Sequence, residues 1–292
     1  MSILTVDLNK PDASKLFPLS LQETGFAVLT NHPVSTELID DVYKEWTEFF
    51  AKNEKYEYTF KTEEQAGYFP FKSENAKGYP VKDLKEFYHY YDSYGLPKGF
   101  SENTKILKNQ LSALAAQLLQ WIEDATPEEI KCNFSMPLCK MIEDSPSTFM
   151  RILCYPPLDN NEDEGAIRAA PHEDIDLLSL LVAANEPGLQ VQNAKGEWYE
   201  VSCEPGSIVV NTGDMLELAT NRYFKSTTHQ VINPTGEGAK RARLSIPLFL
   251  HPRNDVRLSP NFTAGEFLKL RLNALGLIPD ADMDPEILKF AA

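Results

Sequence analysis

Apolar positions change their spacing part-way along the chain. Gly25-Phe26-Ala27-Val28-Leu29 is an apolar run that predicts a buried strand, and Thr30-Asn31-His32-Pro33 leads from it to Ser35, an N-cap candidate. Beyond Ser35 the apolar residues Leu38, Ile39, Val42, Trp46, Phe49 and Phe50 recur at helical spacing. Over 67–94 the pattern dissolves into glycines and aromatics, including Phe87-Tyr88-His89-Tyr90-Tyr91, which reads as a loop over the core and one wall of a binding site. Ser101 then caps a helix striped by Ile106, Leu107, Leu111, Leu114, Leu118, Trp121 and Ile122. Thr126-Pro127-Glu128-Glu129 marks a further helix start.

From about Thr148 the period becomes that of strands, with runs at 149–154, 177–183, 188–192, 198–201, 207–211, 227–232 and 243–250. Turn residues such as Asn193-Ala194-Lys195-Gly196 and Pro205-Gly206 separate them, which predicts an antiparallel sandwich or jelly-roll barrel. A last helix opens at Thr263, where Glu266 completes a capping box, and stops at Gly276. No repeat, low-complexity tract or clean linker interrupts the chain. The expected organisation is one integrated domain: an N-terminal α/β region over 1–100, scaffold helices over 101–147, and a β core with a C-terminal helix over 148–292.

Composition narrows the partners. The 292 residues are 42% hydrophobic and 24% charged, as in soluble globular proteins. With 28 Lys and Arg against 43 Asp and Glu, the net charge of −15 has the wrong sign for nucleic acid or an anionic membrane. No apolar run approaches the roughly 18 to 20 residues of a membrane span, and Met1 to Asp7 lack a basic, apolar leader, so a cytoplasmic protein is expected. Cys132, Cys139, Cys154 and Cys203 form no Cys-x-x-Cys pair and are expected to be reduced thiols without chemistry.

Among five histidines, two stand in informative surroundings. His172 and Asp174 lie at i and i+2, so on an extended backbone both project to one face, and His229 occupies another strand-like segment. Two imidazoles and one carboxylate make the facial triad of non-haem Fe(II) sites, although His-x-Asp also arises by chance. Arg243 and Ser245 place a guanidinium and a hydroxyl on one face of an apolar strand. A guanidinium directed into a barrel calls for an anion, either a ligand carboxylate or an acidic side chain of the protein.

With these motifs in order, the chain resembles the iron(II)- and 2-oxoglutarate-dependent dioxygenases, in the branch of isopenicillin N synthase. The resemblance rests on Gly25-Phe26, Asn31-His32, Phe49-Phe50, Lys85-Glu86-Phe87, Tyr155-Pro156-Pro157, His172-Glu173-Asp174, Gly188-Leu189-Gln190-Val191, Asn211-Thr212-Gly213-Asp214, Thr220-Asn221, Lys225-Ser226, His229, and Arg243-x-Ser245 ahead of Phe249. It implies a mainly β fold with flanking helices, a double-stranded β-helix (jelly roll) core with an N-terminal α/β segment helping to close its mouth. It further implies His172, Asp174 and His229 as Fe(II) ligands, Arg243 and Ser245 as carboxylate binders for 2-oxoglutarate as co-substrate, and Tyr155 pointing to the same site. The implied reaction oxidises a small-molecule substrate with dioxygen while 2-oxoglutarate becomes succinate and CO2.

Two departures stand out. Leu153 replaces an Asn frequent in plant members, which bears on how the keto acid end is held, and Gln230 stands where many relatives have Arg. Two alternatives remain at this point. One is an oxidase like isopenicillin N synthase, which uses no 2-oxoglutarate and shares Glu173 between the ligands; the other is a non-catalytic barrel that senses a metal or ligand. Of the other residues, His32 is expected to be a turn or packing residue, His89 a substrate contact, His251 a surface residue, and Trp198 and Phe249 core. Arg168 reads as a contact for an acidic substrate or as a salt bridge, and Tyr88 and Tyr90 as pocket wall.

Overall fold

The computed structural model describes residues 2–61, 64–75, 79–159, 161–182, 187–201, 204, 206–276, 279 and 283. In chain order these form β1 (Leu4–Asp7), α1 (Ala13–Thr24), β2 (Phe26–Thr30), α2 (Thr36–Phe50), β3 (Gly67–Phe69), β4 (Glu86–Tyr90), α3 (Asn103–Ala125), α4 (Glu128–Lys131), α5 (Leu138–Met141) and β5 (Phe149–Tyr155). There follow β6 (Ala169–His172), β7 (Leu178–Val182), β8 (Leu189–Gln192), β9 (Trp198–Glu200), β10 (Ile208–Thr212), α6 (Asp214–Ala219), β11 (His229–Val231), β12 (Arg243–Leu250) and α7 (Ala264–Ala274).

Eight strands form one sheet in the order β1-β2-β10-β7-β12-β5-β4-β3, and four form a second in the order β6-β11-β8-β9. All pairings are antiparallel except β1 with β2. The two sheets make the jelly roll. Strand alternation decides what each face of the larger sheet meets. Met150, Ile152, Cys154, Leu244, Ile246 and Leu248 join the helical layer in one core, while Phe26, Val28 and Val209 turn to the second sheet and pack with Ala169, Leu189, Val191 and Val231. In the helical layer Trp46 is fully buried and its Nε1–H donates to Thr104 Oγ1 at 2.9 Å, which ties α2 to α3. An aromatic of that size held out of water is worth roughly 1.5 to 3 kcal/mol.

Caps and turns follow the local sequence. Ser35 Oγ accepts from the Leu38 amide at 3.2 Å, and Thr263 with Glu266 forms a full capping box. Ser101 sits one residue outside the cap of α3, where its Oγ accepts from the Asn103 amide. Thr126 closes α3 by donating to the Ile122 carbonyl instead of opening the next helix.

The segment 67–94 corrects the expected loop. It contributes β3 and β4 to the larger sheet, hidden in the sequence because Lys85, Glu86 and His89 interrupt the apolar pattern while being buried in ion pairs and hydrogen bonds. Strand β6 and helix α1, which contains Pro18, also lack a sequence signature of their kind. Cys132, Cys139 and Cys154 are free thiols; Cys203 lies outside the described residues.

Candidate active site

Three side chains converge where β6 and β11 pair. His172 and His229 are direct cross-strand partners, and Asp174 follows two residues after the end of β6. One ligand atom from each of the three lies within 4.8 Å of the others. His172 Nε2 is 3.9 Å from Asp174 Oδ1, and His229 Nε2 is 3.8 Å from Asp174 Oδ2. The imidazole tautomers follow from their partners. His172 Nδ1 faces the Ala170 carbonyl at 2.8 Å and His229 Nδ1 the Thr227 carbonyl at 3.1 Å. A carbonyl only accepts, so each Nδ1 carries the proton and each Nε2 turns its lone pair to the common centre.

Asp174 is held as firmly. Its Oδ2 accepts from Ser179 Oγ at 2.5 Å and from Asn211 Nδ2 at 2.8 Å, both on strands of the larger sheet. Burial opposes its charge, but His229, His172 and these hydrogen bonds outweigh it and hold the carboxyl below the ordinary range. Burial, and then His229, keep the His172 ring neutral, with a pKa well below its usual value. Neighbouring Asp176 behaves oppositely: burial and then Asp174 raise its carboxyl far above the carboxylate range, so it stays protonated beside Ser179 Oγ at 3.2 Å.

Two glycines permit this packing. A Cβ on Gly213 would lie 2.2 Å from the Asp176 carbonyl oxygen, just where the Asp214 amide donates to the Asp174 carbonyl at 2.7 Å. Gly25 has φ +74°, and a Cβ there would lie 2.2 Å from Thr227 Oγ1, on the segment leading into β11. Phe26 beside it packs edge-on against the His229 ring at 5.5 Å.

Arg243 and Ser245 occupy the inward register of β12, opposite Tyr155 and Leu153 of β5. Arg243 is buried with its guanidinium 5.2 Å from the Tyr155 ring, and Ser245 is buried beside it. Neither residue lines the wide cavity beside the candidate metal ligands. That cavity, of ≈ 1660 Å³, is lined by His172, Glu173 and Asp174, by Phe69, His89, Phe149, Arg151 and Phe249 of the larger sheet with His251 just beyond it, and by Leu268, Arg271 and Leu272 of α7 with Leu275 at its end. Its size leaves room for a second small molecule beside a co-substrate.

The donor set fits a ferrous ion. Two neutral imidazole nitrogens and a carboxylate, with the other ring nitrogens hydrogen-bonded, suit Fe(II), and the cluster contains no thiolate to favour a softer ion. The buried guanidinium and hydroxyl on one face likewise suit one end of a dicarboxylate.

Other expectations divide. His32 is a turn residue, its Nε2 2.6 Å from the Gly206 carbonyl, and Gln230 pairs with Gln190 across β11 and β8. His89 does line the cavity. His251 is not at the surface but buried on the cavity wall, and Phe249 faces the cavity instead of the core. Tyr88 and Tyr90 point into the helical core, so the expected wall is out by one residue: His89 and Tyr91 take that face. Arg168 is fully buried, with Nη2 donating to the Arg241 carbonyl and its guanidinium 5.7 Å from the Tyr155 ring. Sequence reasoning gave no role to Ser179, Asn211 and Arg151, although each is a polar residue at an inward position of an apolar strand.

Residues 146–252 match the 2OG-Fe(II) oxygenase superfamily, and residues 4–110 match the family described as non-haem dioxygenase in morphine synthesis N-terminal. A crystal structure from Shewanella oneidensis, described as an oxygenase, is similar with 45% identity and a TM-score of 0.86, over 95% of this chain and 100% of that one. A 2OG-Fe(II) oxygenase family protein from Caulobacter crescentus shows 29% identity and a TM-score of 0.77 over 93% of this chain and 98% of its own. The 2-oxoglutarate-dependent dioxygenase 11 of Oryza sativa subsp. japonica is 29% identical over 89% of this chain and 74% of its own length. Fold, motifs and relatives agree: the chain belongs to the iron(II)- and 2-oxoglutarate-dependent oxygenase family.

Proposed function

We propose that this protein oxidises a small molecule with dioxygen, holding Fe(II) through His172, Asp174 and His229 and the distal carboxylate of 2-oxoglutarate through Arg243 and Ser245. The observation that carries the reading is the convergence of three preset ligand atoms within 4.8 Å, each fixed from behind by a hydrogen bond. When bound, the ferrous ion supplies activation of dioxygen, coupled to conversion of 2-oxoglutarate to succinate and CO2. The protein's own residues bind and orient. Arg243 and Ser245 fix the far end of the co-substrate, Tyr155 packs against the Arg243 guanidinium, and the aromatic wall of the cavity excludes water from the reacting face. Three protein ligands on one side of the ion would leave its remaining positions to the co-substrate and dioxygen. The reading extends to a cytoplasmic member of the isopenicillin N synthase branch, supported by the ordered motif set and by the free thiols of Cys132, Cys139 and Cys154.

Titration of 2-oxoglutarate into anaerobic Fe(II) protein, followed by visible absorbance, tests the assignment. Arg243→Leu is expected to weaken 2-oxoglutarate roughly ten- to a hundredfold with iron content unchanged, because it removes a charge-assisted contact worth about 1.5 to 3 kcal/mol. Ser245→Ala is expected to cost less, since it deletes one hydroxyl. His172→Ala and Asp174→Ala are expected to lose iron while keeping the circular dichroism of the fold. Wild-type protein that consumes oxygen with Fe(II) but binds no 2-oxoglutarate would overturn the assignment in favour of an oxidase whose Arg243 grips the substrate carboxylate.

A further inference from the structure

On β5 the inward positions are Phe149, Arg151, Leu153 and Tyr155. Tyr155 faces Arg243 in register, whereas Arg151 lies four residues away along the strand, about 13 Å at roughly 3.3 Å per residue. It is therefore outside the row that receives the co-substrate, and it lines the cavity shared with the metal ligands.

Arg151 is built in rather than adrift. Its guanidinium carbon stands 4.7 Å from the Phe87 ring and 5.4 Å from the Phe249 ring. Its Nε donates to His89 Nε2 at 2.8 Å, and its Nη1 donates to Glu74 Oε2 at 3.3 Å. His89 can take that proton donor only with a bare Nε2, so its Nδ1 carries the hydrogen that reaches the Gln65 carbonyl at 2.9 Å. Burial, and then the Arg151 charge, keep this ring neutral. Glu74 is engaged twice, by Arg151 and by Lys85 Nζ at 3.0 Å, and Lys85 also holds Asp83 at 2.8 Å.

The acceptors of this cluster are thus occupied. A guanidinium has five N–H donors, and the two bonds above use one each, leaving Nη2 without a hydrogen-bond partner among the described residues, on a side chain that lines the cavity. A donor-only, planar fork already fixed at two points complements a planar acceptor-only group, which is a carboxylate. Phe69, Tyr91, Phe149 and Phe249 line the same cavity with ring surface.

We propose that Arg151 is the specificity residue of the primary substrate site, and that the substrate is a small carboxylic acid with a planar apolar body, its carboxylate held by the Arg151 fork. This rests on the oxygenase reading above for the cavity being the substrate site.

The test uses protein loaded anaerobically with Fe(II) and saturating 2-oxoglutarate, so that acids cannot occupy the Arg243 row. Benzoate, cinnamate, indole-3-acetate and decanoate, each paired with its primary amide, are titrated by calorimetry. At least one acid is expected to bind, with its amide tenfold or more weaker. Arg151→Gln is expected to weaken that acid roughly ten- to a hundredfold and erase the preference over the amide, with iron and 2-oxoglutarate binding unchanged. Arg151→Lys keeps a cation for Glu74 should the Gln variant not fold, and is expected to fall between the two, having a charge but no fork. Amides binding as tightly as acids, an acid preference that survives Arg151→Gln, or no acid binding at millimolar concentration would each overturn the proposal. Failure of 2-oxoglutarate to bind the wild type would instead strike the co-substrate assignment; the acid and amide pairs are then compared by thermal shift on the iron-loaded protein, with the same outcomes deciding.

Discussion

Asp174 shows how much of a proposed metal site can rest on residues that are not themselves ligands. Ser179 and Asn211 both donate to its Oδ2, from neighbouring strands β7 and β10. Asn211→Ala is expected to weaken iron binding about ten- to a hundredfold, the usual cost of losing an outer-shell partner, while the fold remains. A ferrous titration with a competing chelator measures it, and unchanged affinity would show that Ser179 suffices alone. Gly213 acts sterically. Because an added methyl would meet Asp176 backbone at 2.2 Å, Gly213→Ala is expected to destabilise the protein by about 1 to 3 kcal/mol and to displace the Asp174 loop. Denaturant melts and iron content report the two effects separately. The proposed ligands are legible as candidates because their types and i, i+2 spacing are chemical statements. Ser179 and Asn211 were harder to read, since one hydroxyl or amide in an apolar run reveals its role only when register sets it beside a carboxylate.

At the level of elements, legibility follows from whether the local signal agrees with the burial. Strand β12 is recovered to the residue, since its inward Arg243 and Ser245 alternate with apolar outward positions. Helix α7 is recovered through Thr263 and Glu266, whose capping box is purely local. Strand β4 was missed because its buried side chains include Glu86 and His89, satisfied by Lys55 and Tyr68 on one side and by Gln65 and Arg151 on the other. Nothing within the strand announces those partners. Tyr88 and Tyr90 were assigned to the pocket for the same reason: aromatic identity does not say which face of a strand is which. Helix α7 also bounds the cavity through Leu268 and Leu272. Thr263→Ala removes its N-cap and is expected to lower stability by about 1 kcal/mol, or roughly 2 to 4 °C in Tm, by calorimetry.

Across the whole molecule, acid should act through buried imidazoles that are not proposed as metal ligands. Burial pushes His251 down to about 4, against the pull of the Phe249 carbonyl, from an ordinary value near 6.5. Its folded pKa is depressed, so above pH 6.5 both states are neutral, and between about 6.5 and 4 the unfolded chain takes up a proton that the fold refuses. Stability is expected to fall by about 2 kcal/mol from this group between pH 7 and 5. Unfolding of iron-free wild type and His251→Phe, measured at both pH values, should show a shallower decline in the variant. Equal declines would assign the acid sensitivity elsewhere, to His89 first. The strand order of the larger sheet has a further effect, on biogenesis. Strand β2, whose Phe26 packs on His229, pairs with β1 on one edge and with β10 on the other, so that second edge must wait for a strand made much later. A nascent chain emerging from the ribosome therefore carries one open edge of β2 until most of the barrel has been translated, a long-range pairing of the kind that folds slowly. Iron loading through the proposed ligands is expected only once β11 has emerged, because a ribosome-bound fragment ending before it lacks His229 and has no complete ligand set to offer the ion.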